Sequence, residues 1–251
     1  MGILNLTPDS FSDGGQYNQP QAAIKRAVEI EQEGADYIDL GAQSTGPGSP
    51  NISPKEELKR LIPILKKIRQ KVKIPISIDT YRSEIADAAL TEGANLINDI
   101  TALRADPKLA ATIAKHRCPL ILMYSKDPTP RTTRQALIYK DIIKTISDFF
   151  TERLEYAKQQ CLTDIILDPG MGHYISALPQ YSYEIIARLS EFKKFQKKLL
   201  IGLSRKSFLG GPTEERDEKA LPLTAIAYLN GAAIIRTHNV KATKELCQQW
   251  N

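Results

Sequence analysis

The chain has 251 residues, a length that α/β barrels routinely occupy as one domain, so we interpret residues 1–251 as a single domain. Its 34 basic and 29 acidic residues give a net charge of +5, and because the two signs are interspersed this charge does not require a nucleic-acid partner. A mild positive surplus of this kind suits an anionic small substrate.

Cysteine usage and hydropathy argue against two further classes of protein. Cys118, Cys161 and Cys247 are odd in number and widely spaced, which disfavours a disulfide framework and a Cys-x-x-Cys metal site and favours a reducing compartment. No apolar run approaches the ~18 residues of a membrane span, and the N-terminus lacks the basic start and apolar core of a signal peptide. We therefore expect a cytoplasmic protein with no membrane partner. Because the chain begins at its first predicted strand, we also expect that a short N-terminal segment is missing.

Short apolar runs alternate with amphipathic stretches along the whole chain, with a period of about thirty residues. The runs are too short for buried helices, and we interpret them as strands. The eight predicted strands cover residues 2–5, 37–40, 74–78, 96–98, 120–123, 165–167, 199–203 and 233–236. Helices are predicted between them, for example over residues 22–33 and 54–71.

Two local signals mark where helices begin and end. The helix predicted over residues 54–71 opens with Ser53, Pro54 and Glu56, which supply an N-cap, a first-turn proline and the returning carboxylate of a capping box. A Gly-Ala pair precedes a strand three times, and a glycine after a helix supplies the left-handed cap that turns the chain into the next strand. The three glycines are Gly34, Gly93 and Gly231.

Eight strands that alternate with helices imply parallel strands, because parallel neighbours need a crossover connection. We predict an α/β fold, an eight-stranded parallel (β/α)8 TIM-type barrel, with a doubly wound open sheet as the alternative. Ligands of such a barrel bind at the carboxyl ends of the strands. Almost every predicted strand ends there in a polar residue, which favours an enzyme. These residues are Asn5, Asp39, Asp79, Asn98 with Asp99, Tyr124, Asp168, Ser204 with Lys206, and Arg236 with His238.

The most specific pattern covers residues 2–15, where a buried strand delivers Asn5 to a loop of polar and turn-forming residues. The loop contains Thr7, Pro8, Asp9, Ser10, Ser12 and Asp13. This stretch resembles the opening signature of the dihydropteroate synthases, the folate-pathway enzymes that join a dihydropterin pyrophosphate to p-aminobenzoate. The resemblance runs along nearly the whole chain. Its further motifs are Asp-Pro-Gly-Met-Gly at 168–172, Ser-Arg-Lys-Ser at 204–207 and Arg-Thr-His at 236–238.

The resemblance implies a pterin pocket formed by Asp79, Asn98, Asp168 and Lys206. A pterin presents an amino group and ring N–H donors beside ring acceptors, so carboxylates, an amide and one cation can satisfy its polar edge. Each Asp or Asn taken alone could instead cap the helix that follows it.

The resemblance also implies a catalytic set of Asn5, Thr45, Arg236 and His238. Asn5 is expected to coordinate Mg²⁺ and the pyrophosphate of the substrate. Arg236 offers phosphate oxygens a bidentate fork, and His238 is expected to donate one further hydrogen bond. The reaction then needs no protein nucleophile, because pyrophosphate leaves, the pterin ring spreads the positive charge and the arylamine nitrogen attacks.

The p-aminobenzoate side departs from the family pattern. The resemblance assigns this substrate to Thr45, Pro47, His173 and Ser207. However, Gly46 stands where most members have an arginine, and His173 stands where they have an aromatic residue. Gly46 removes a cation and makes its loop more flexible. The chain is similar to the branch that includes sulfonamide-insensitive synthases, and we expect weakened sulfonamide inhibition.

Three functions are open at this point, of which a working dihydropteroate synthase is favoured. A methyltetrahydrofolate-dependent methyltransferase would need the pterin residues but has no use for an anion site at Asn5, Arg236 and His238. A non-catalytic pterin-binding homologue is motivated by Gly46 and His173. The resemblance also implies a homodimer through the outer helices.

Overall fold

The computed structural model describes residues 1–6 and 19–249. The predicted polar loop that follows Asn5, from residue 7 to residue 15, lies outside the described residues. Eight parallel strands form one sheet in chain order. They are β1 (Gly2–Asn5), β2 (Ile38–Gly41), β3 (Ile76–Asp79), β4 (Leu96–Asp99), β5 (Leu120–Met123), β6 (Ile165–Asp168), β7 (Lys198–Ile201) and β8 (Ile234–Ile235).

Helices alternate with the strands, as predicted. They are α1 (Gln19–Gln32), α2 (Pro54–Arg69), α3 (Ser83–Thr91), α4 (Leu109–His116), α5 (Ile142–Gln159), α6 (Gln180–Ala187), α7 (Arg216–Leu229) and α8 (Val240–Gln248). Short 3₁₀ turns lie between β6 and α6, after α6, and between β7 and α7. None of the helices in the described ranges is long and apolar enough to cross a bilayer.

The sequential order of the strands contradicts the doubly wound alternative, in which the order reverses at a switch point. The chain after β8 also lies beside β1. Ile3 N donates to Thr237 O at 2.9 Å, and Thr237 N donates to Met1 O at 3.0 Å. Eight parallel strands with alternating helices are consistent with a (β/α)8 barrel.

Element boundaries differ from the predicted ones by a few residues. β1 and β5 have the predicted bounds, and the other strands are shifted by one or two residues. β8 is shorter than predicted because only Ile234 and Ile235 pair with β7 in the ladder. The neighbouring amides of Ala233 and Arg236 still donate to carbonyls of β7, at 2.9 and 2.8 Å.

The signals at the helix ends are largely confirmed. Ser53 caps α2, since its hydroxyl accepts from Glu56 N at 3.2 Å, and Pro54 occupies the first turn. The capping box is incomplete, because the Glu56 carboxylate accepts from Arg60 Nε at 2.8 Å instead of from the Ser53 backbone. The glycines of the Gly-Ala pairs have the left-handed φ that was predicted. Their φ values are +89° at Gly34, +94° at Gly93 and +106° at Gly231.

Side chains of the strands divide between two apolar clusters, because successive residues of a strand point to opposite faces. The larger cluster packs the strands against the helices and includes Leu40, Ile97 and Leu167. The smaller cluster lies on the opposite side of the strands, which we call the inner face. It contains Met1, Leu96, Ile121, Ile166, Leu200 and Ile234.

A buried ion pair fixes the chain between β3 and α3. The Glu57 side chain is 2% exposed, and its carboxylate lies 2.6 Å from Arg82 Nη1. Thr80 Oγ1 donates to the same carboxylate at 3.1 Å, and Arg82 Nη2 donates to Ile52 O at 2.9 Å. These contacts tie α2 to the segment that follows Asp79.

Glu57→Ala is expected to destabilise the fold by about 3 kcal/mol, because it leaves a largely buried guanidinium without its carboxylate. Urea unfolding followed by circular dichroism measures this loss. Glu56→Ala is the matched control, since Glu56 precedes Glu57 in the same helix but pairs only with the partly exposed Arg60. Equal midpoints for the two variants would contradict a structural role for the buried pair.

Candidate active site

The predicted site residues lie above the inner apolar cluster, at the carboxyl ends of the strands. Residues two positions apart in a strand share a face, so each polar residue that comes two positions after a member of that cluster also points inward. Leu96, Ile166 and Ile234 are followed in this way by Asn98, Asp168 and Arg236. The same alternation puts Asp39 and Asp79 on the inner face, since their strand neighbours Ile38, Leu40 and Ile78 belong to the outer cluster.

Five of the predicted residues line a single cavity of about 50 Å³. All four residues assigned to the pterin are among them, and Arg236 is the fifth. The cavity is lined by Asp79, Asn98, Asp168, Lys206 and Arg236, together with Ile100, Met123, Met171, Tyr174 and Gly202. The structure therefore brings the predicted pterin residues together.

Arg236 is held by two carboxylates. Its Nε donates to Asp39 Oδ2 at 2.6 Å, and its Nη2 donates to Asp79 Oδ2 at 3.2 Å. Asn98 Nδ2 donates to the same oxygen of Asp39 at 3.1 Å. Burial alone would lower the pKa of Arg236, but the carboxylates of Asp39 and Asp79 raise it above its ordinary value.

Asp39 was noted at the end of its predicted strand but was given no role from the sequence. The residue is 1% exposed, and its second oxygen, Oδ1, has no partner among the described residues. Its alternation with Ile38 and Leu40 is the signal that could have placed it on the inner face with the other polar residues.

The titratable groups of the cavity have shifted pKa values. Burial, together with the nearby Asp39 carboxylate, raises the pKa of Asp79 to about 7. Burial raises the pKa of Asp168 to about 6, although a hydrogen bond from Gly170 and the charge of Lys206 act against it. Burial and the charge of Arg236 lower the pKa of Lys206 to about 8. Both carboxylates can therefore change protonation near neutral pH.

The turn after β6 explains why Asp168 is followed by proline and glycine. Asp168 Oδ1 accepts from Gly170 N at 2.8 Å, which closes a tight turn over the end of the strand. Gly170 has a φ of +72°, and a Cβ there would collide with the carbonyl oxygen of Tyr124. Only glycine fits this position.

Tyr174 fills part of the cavity, which sequence reasoning did not predict. Its hydroxyl lies 2.6 Å from Thr45 Oγ1, and Lys206 Nζ lies 4.6 Å from the centre of its ring. Burial raises the pKa of Tyr174 to about 12, so the phenol stays neutral. Tyr174 thus connects the predicted p-aminobenzoate residue Thr45 to the predicted pterin residue Lys206.

Two of the remaining residues assigned to p-aminobenzoate, His173 and Ser207, contact each other. His173 Nε2 lies 3.0 Å from Ser207 Oγ, and His173 O accepts from Lys126 Nζ at 2.8 Å. Burial, with Arg134 and Lys126 nearby, lowers the pKa of His173. Pro47 is half-buried in the loop after β2, and no described contact joins it to His173 or Ser207.

His238 lies beside the cavity and is fixed by the loop after β7. Its Nδ1 lies 2.8 Å from Ser204 Oγ, and its backbone N–H donates to the same hydroxyl at 3.1 Å. Burial, with Arg205 and Arg236 nearby, lowers the pKa of His238 to about 3. The unliganded imidazole is therefore neutral at pH 7.

Asn5 ends β1 next to Gly41, and a Cβ built on Gly41 would lie 3.6 Å from Asn5 Oδ1 and 3.8 Å from Asp79 Oδ2. No cluster of three or more His, Cys, Asp and Glu side chains in the described ranges could hold a metal ion by itself. A magnesium ion that used the Asn5 oxygen would take most of its other ligands from phosphate and water, which Mg²⁺ commonly does. The donors fit a metal that arrives with a phosphorylated substrate.

A family model described as pterin binding enzyme matches residues 1–238, a range that contains every residue lining the cavity. The chain belongs to the pterin-binding enzyme family. The match ends at His238, the last of the predicted site residues.

Similar proteins of this family are dihydropteroate synthases. The chain is 42% identical to one from Synechocystis sp., over 99% of this chain and 87% of that protein. It is similar to the structure of Xanthomonas albilineans dihydropteroate synthase with 4-aminobenzoic acid, with 33% identity, a TM-score of 0.93, and coverage of 100% of this chain and 90% of that chain. It is also similar to dihydropteroate synthase from Clostridium difficile in the presence of pteroic acid, with 37% identity, a TM-score of 0.91, and coverage of 99% and 94%.

Proposed function

We propose that this chain is a dihydropteroate synthase, a transferase that condenses 6-hydroxymethyl-7,8-dihydropterin pyrophosphate with p-aminobenzoate to give 7,8-dihydropteroate and pyrophosphate. The observation that carries the proposal is the convergence of Asp79, Asn98, Asp168, Lys206 and Arg236 on one cavity. Membership of the family and the similarity to synthases solved with 4-aminobenzoic acid and pteroic acid support the same reaction.

The polar edge of the cavity suits a pterin. Asn98 Oδ1 is buried and accepts no hydrogen bond among the described residues, so a ligand N–H would satisfy it. One oxygen of Asp168 accepts from Gly170 N, and the second is available to accept from ring donors of the pterin. Lys206 supplies the cation. In this assignment Asp79, Asn98 and Asp168 accept from the pterin, and Lys206 donates to it.

The leaving group is assigned to the residues at the ends of β1 and β8. Arg236 presents a guanidinium that stays charged at any physiological pH. Its Nη2, which donates a hydrogen bond to Asp79, can donate to a phosphate oxygen instead. Asn5 would hold Mg²⁺, which when bound would neutralise part of the charge on the pyrophosphate. Stabilising the departing anion and holding the arylamine in line then account for catalysis without a protein nucleophile.

A volume of about 50 Å³ is too small for a pterin, since small-molecule pockets usually enclose roughly 300 to 1,000 Å³. Tyr174 is the side chain whose movement would enlarge the cavity, because it is joined to Thr45 by one hydrogen bond and to Lys206 by a cation–π contact. We assign substrate entry to rotation of Tyr174 away from Lys206.

Three further features belong to the proposal. We propose that the sheet closes as a (β/α)8 barrel, supported by the parallel bridge between Gly2 and Thr237. We propose a homodimer through α7, whose apolar residues Ile226 and Leu229 are 44% and 62% exposed. The cytoplasmic location stays a prediction from the sequence.

The decisive experiment is a pyrophosphate-release assay with dihydropterin pyrophosphate and Mg²⁺, with and without p-aminobenzoate. A synthase releases pyrophosphate at a rate that saturates with p-aminobenzoate. Pterin binding without release would instead identify a non-catalytic homologue. Methyl transfer from methyltetrahydrofolate would identify a methyltransferase, although that reaction has no use for Asn5, Arg236 and His238 around one anion.

Gly46→Arg is expected to lower the Michaelis constant for p-aminobenzoate severalfold and to strengthen sulfonamide inhibition. The wild-type loop lacks a cation at this point, and we therefore propose a raised Michaelis constant and weakened sulfonamide binding for the wild-type enzyme. A side chain fits here, because a Cβ would lie no closer than 3.7 Å to Ser44 Oγ and Ser49 Oγ. Steady-state kinetics with p-aminobenzoate and one sulfonamide measure both effects.

Gly46→Gln is the control for that prediction, because glutamine adds a long polar side chain without a charge. Improvement in Gly46→Arg alone would assign the effect to the cation. Equal constants in the wild type and Gly46→Arg would mean that this loop does not determine arylamine affinity.

A further inference from the structure

The loop after β7 contains a chain of hydrogen bonds that ends on His238. Asp217, in the first turn of α7, accepts from the Ser204 hydroxyl through Oδ1. The same Ser204 oxygen lies 2.8 Å from His238 Nδ1 and accepts from the His238 backbone N–H at 3.1 Å. These hydrogen bonds therefore link α7, through Asp217 and Ser204, to His238 of the proposed anion site.

The hydrogen-bonding capacity of serine decides which nitrogen of His238 carries the proton. A hydroxyl has one proton to donate and two lone pairs to accept with. Ser204 donates its proton to the Asp217 carboxylate, which can only accept. Its lone pairs then receive the backbone N–H and Nδ1–H of His238. A proton on Nδ1 is the only arrangement that satisfies all three contacts.

Asp217 is itself held as an acceptor. Its second oxygen, Oδ2, receives Arg205 Nε at 3.0 Å, and its side chain is 14% exposed. Its place in the first turn of α7 favours a negative charge, because the N-terminal end of a helix carries partial positive charge. Arg205, whose φ is +59°, is kept in its turn by Arg216 Nη1, which donates to Arg205 O at 3.3 Å.

We propose that Ser204 and Asp217 are positioning residues that hold His238 with its proton on Nδ1, so that Nε2 is the nitrogen presented to the leaving pyrophosphate. The first half stands on geometry, and the second half rests on the proposed synthase function. No partner contacts Nε2 among residues 1–6 and 19–249. A neutral His238 of this form has only a lone pair on Nε2. It donates to a phosphate oxygen after Nε2 takes up a proton from solvent, which the negative charge of bound pyrophosphate favours.

The surroundings of His238 explain why the imidazolium needs this support. Arg205 and Lys206 face it from the loop after β7, Arg236 from β8, and Asp217 from α7. Arg26 of α1 donates to the His238 carbonyl oxygen at 3.3 Å. Asp217 is the one anionic group in this described set, and it acts on the ring through Ser204 in the way that the carboxylate of a Ser-His-Asp triad orients and stabilises its histidine.

Nuclear magnetic resonance of ¹⁵N-histidine-labelled protein tests the tautomer directly. The chain has only three histidines, so the signals of His238 are identified by their loss in His238→Gln. At neutral pH the wild type should show a protonated Nδ1 and an unprotonated Nε2. In Asp217→Ala, Ser204 can turn its proton towards Nδ1, and the pattern should reverse or become mixed. Ser204→Ala, which removes the acceptor, is the second variant and should also lose the Nδ1–H pattern.

Glu218→Ala is the matched control, because Glu218 is the neighbouring acidic residue in the same turn of α7 and is exposed. It should keep the wild-type spectrum. Asp217→Ala should also lower kcat/KM for dihydropterin pyrophosphate by roughly tenfold or more. Binding of a pterin without pyrophosphate should not change.

A wild-type spectrum with the proton on Nε2 would contradict the proposal that Ser204 and Asp217 hold the proton of His238 on Nδ1, whatever the activity. An unchanged tautomer and unchanged kinetics in Asp217→Ala would overturn the role of Asp217. A wild type that shows the Nδ1–H pattern but releases no pyrophosphate would support the proposed tautomer and refute the synthase function. Failure of the tautomer proposal and failure of the synthase proposal are therefore distinguishable.

Discussion

Arg236→Ala is expected to lower kcat for pyrophosphate release by about a hundredfold, because the guanidinium is the strongest cation available to the departing anion. The structure adds a second effect. Without Arg236, the buried carboxylates of Asp39 and Asp79 lose the cation that pairs with both of them, so the pKa of Asp79 should rise further although Lys206 remains nearby. Pterin binding should then weaken as well. Steady-state kinetics and calorimetric titration with a pterin that lacks pyrophosphate measure the two losses separately.

Arg236→Lys separates the charge from the shape of the side chain. Lysine keeps a cation beside Asp39 and Asp79 but offers no bidentate fork, so pterin binding should stay near the wild-type value while kcat falls by about tenfold. A lysine variant with full turnover would show that the fork is dispensable. Equal losses of pterin binding and turnover in both variants would mean that Arg236 acts only as a structural counter-ion.

The fold could be predicted because its signals are local and repeated. Eight apolar runs at near-regular spacing predicted eight strands, and Gly34, Gly93 and Gly231 predicted three of the joints between a helix and the next strand. Strand ends were less certain. β8 has only two ladder residues although the amides of Ala233 and Arg236 also donate to β7, and hydropathy cannot tell where pairing stops.

The cavity was predictable only in part. Strand-end carboxylates and amides predicted that Asp79, Asn98 and Asp168 would meet, and they line one cavity. Their assigned roles are predictions that the proposed variants test. Nothing local in the sequence indicated that Tyr174 would contact both Thr45 and Lys206, because these partners are distant in the chain.

Hydrogen bonds between distant side chains account for the other omissions. Asp39 and Arg236 are 197 residues apart in sequence, and Ser204 and His238 are 34 apart, yet each pair is in contact. The expectation that His238 donates to pyrophosphate stays a prediction, and the sequence alone could not say from which nitrogen. A motif identifies the residue, whereas the tautomer depends on the partner that tertiary structure supplies.

Asp168→Ala is expected to weaken pterin binding by about 2 to 4 kcal/mol, because a carboxylate in a site with little water loses its pairing with ligand donors. Asp168→Asn is the matched variant. Its amide oxygen can still accept from Gly170 N, as Asp168 Oδ1 does at 2.8 Å, so the turn after β6 is kept. The charge is lost, and an NH2 group replaces the oxygen that is assigned to the ring donors. Calorimetric titration should give similar losses for the two variants. Unchanged affinity in both would refute the assignment of Asp168 to the pterin.

The pKa of Asp168, about 6, adds a pH dependence to the same prediction. Below pH 6 the carboxyl group is mainly protonated and has to release its proton before it can accept from the ring donors of the pterin. Above that value it is already ionised. The affinity of the wild type for the pterin should therefore rise between pH 5 and pH 7, by at most about tenfold per pH unit for one proton. Binding should also release a proton. Calorimetric titration in buffers of different ionisation enthalpy detects this release. Asp79, whose pKa is about 7, extends the rise towards neutral pH. In Asp168→Asn the part of the rise centred near pH 6 should disappear while the part due to Asp79 persists; a profile identical to that of the wild type would mean that another group binds the proton.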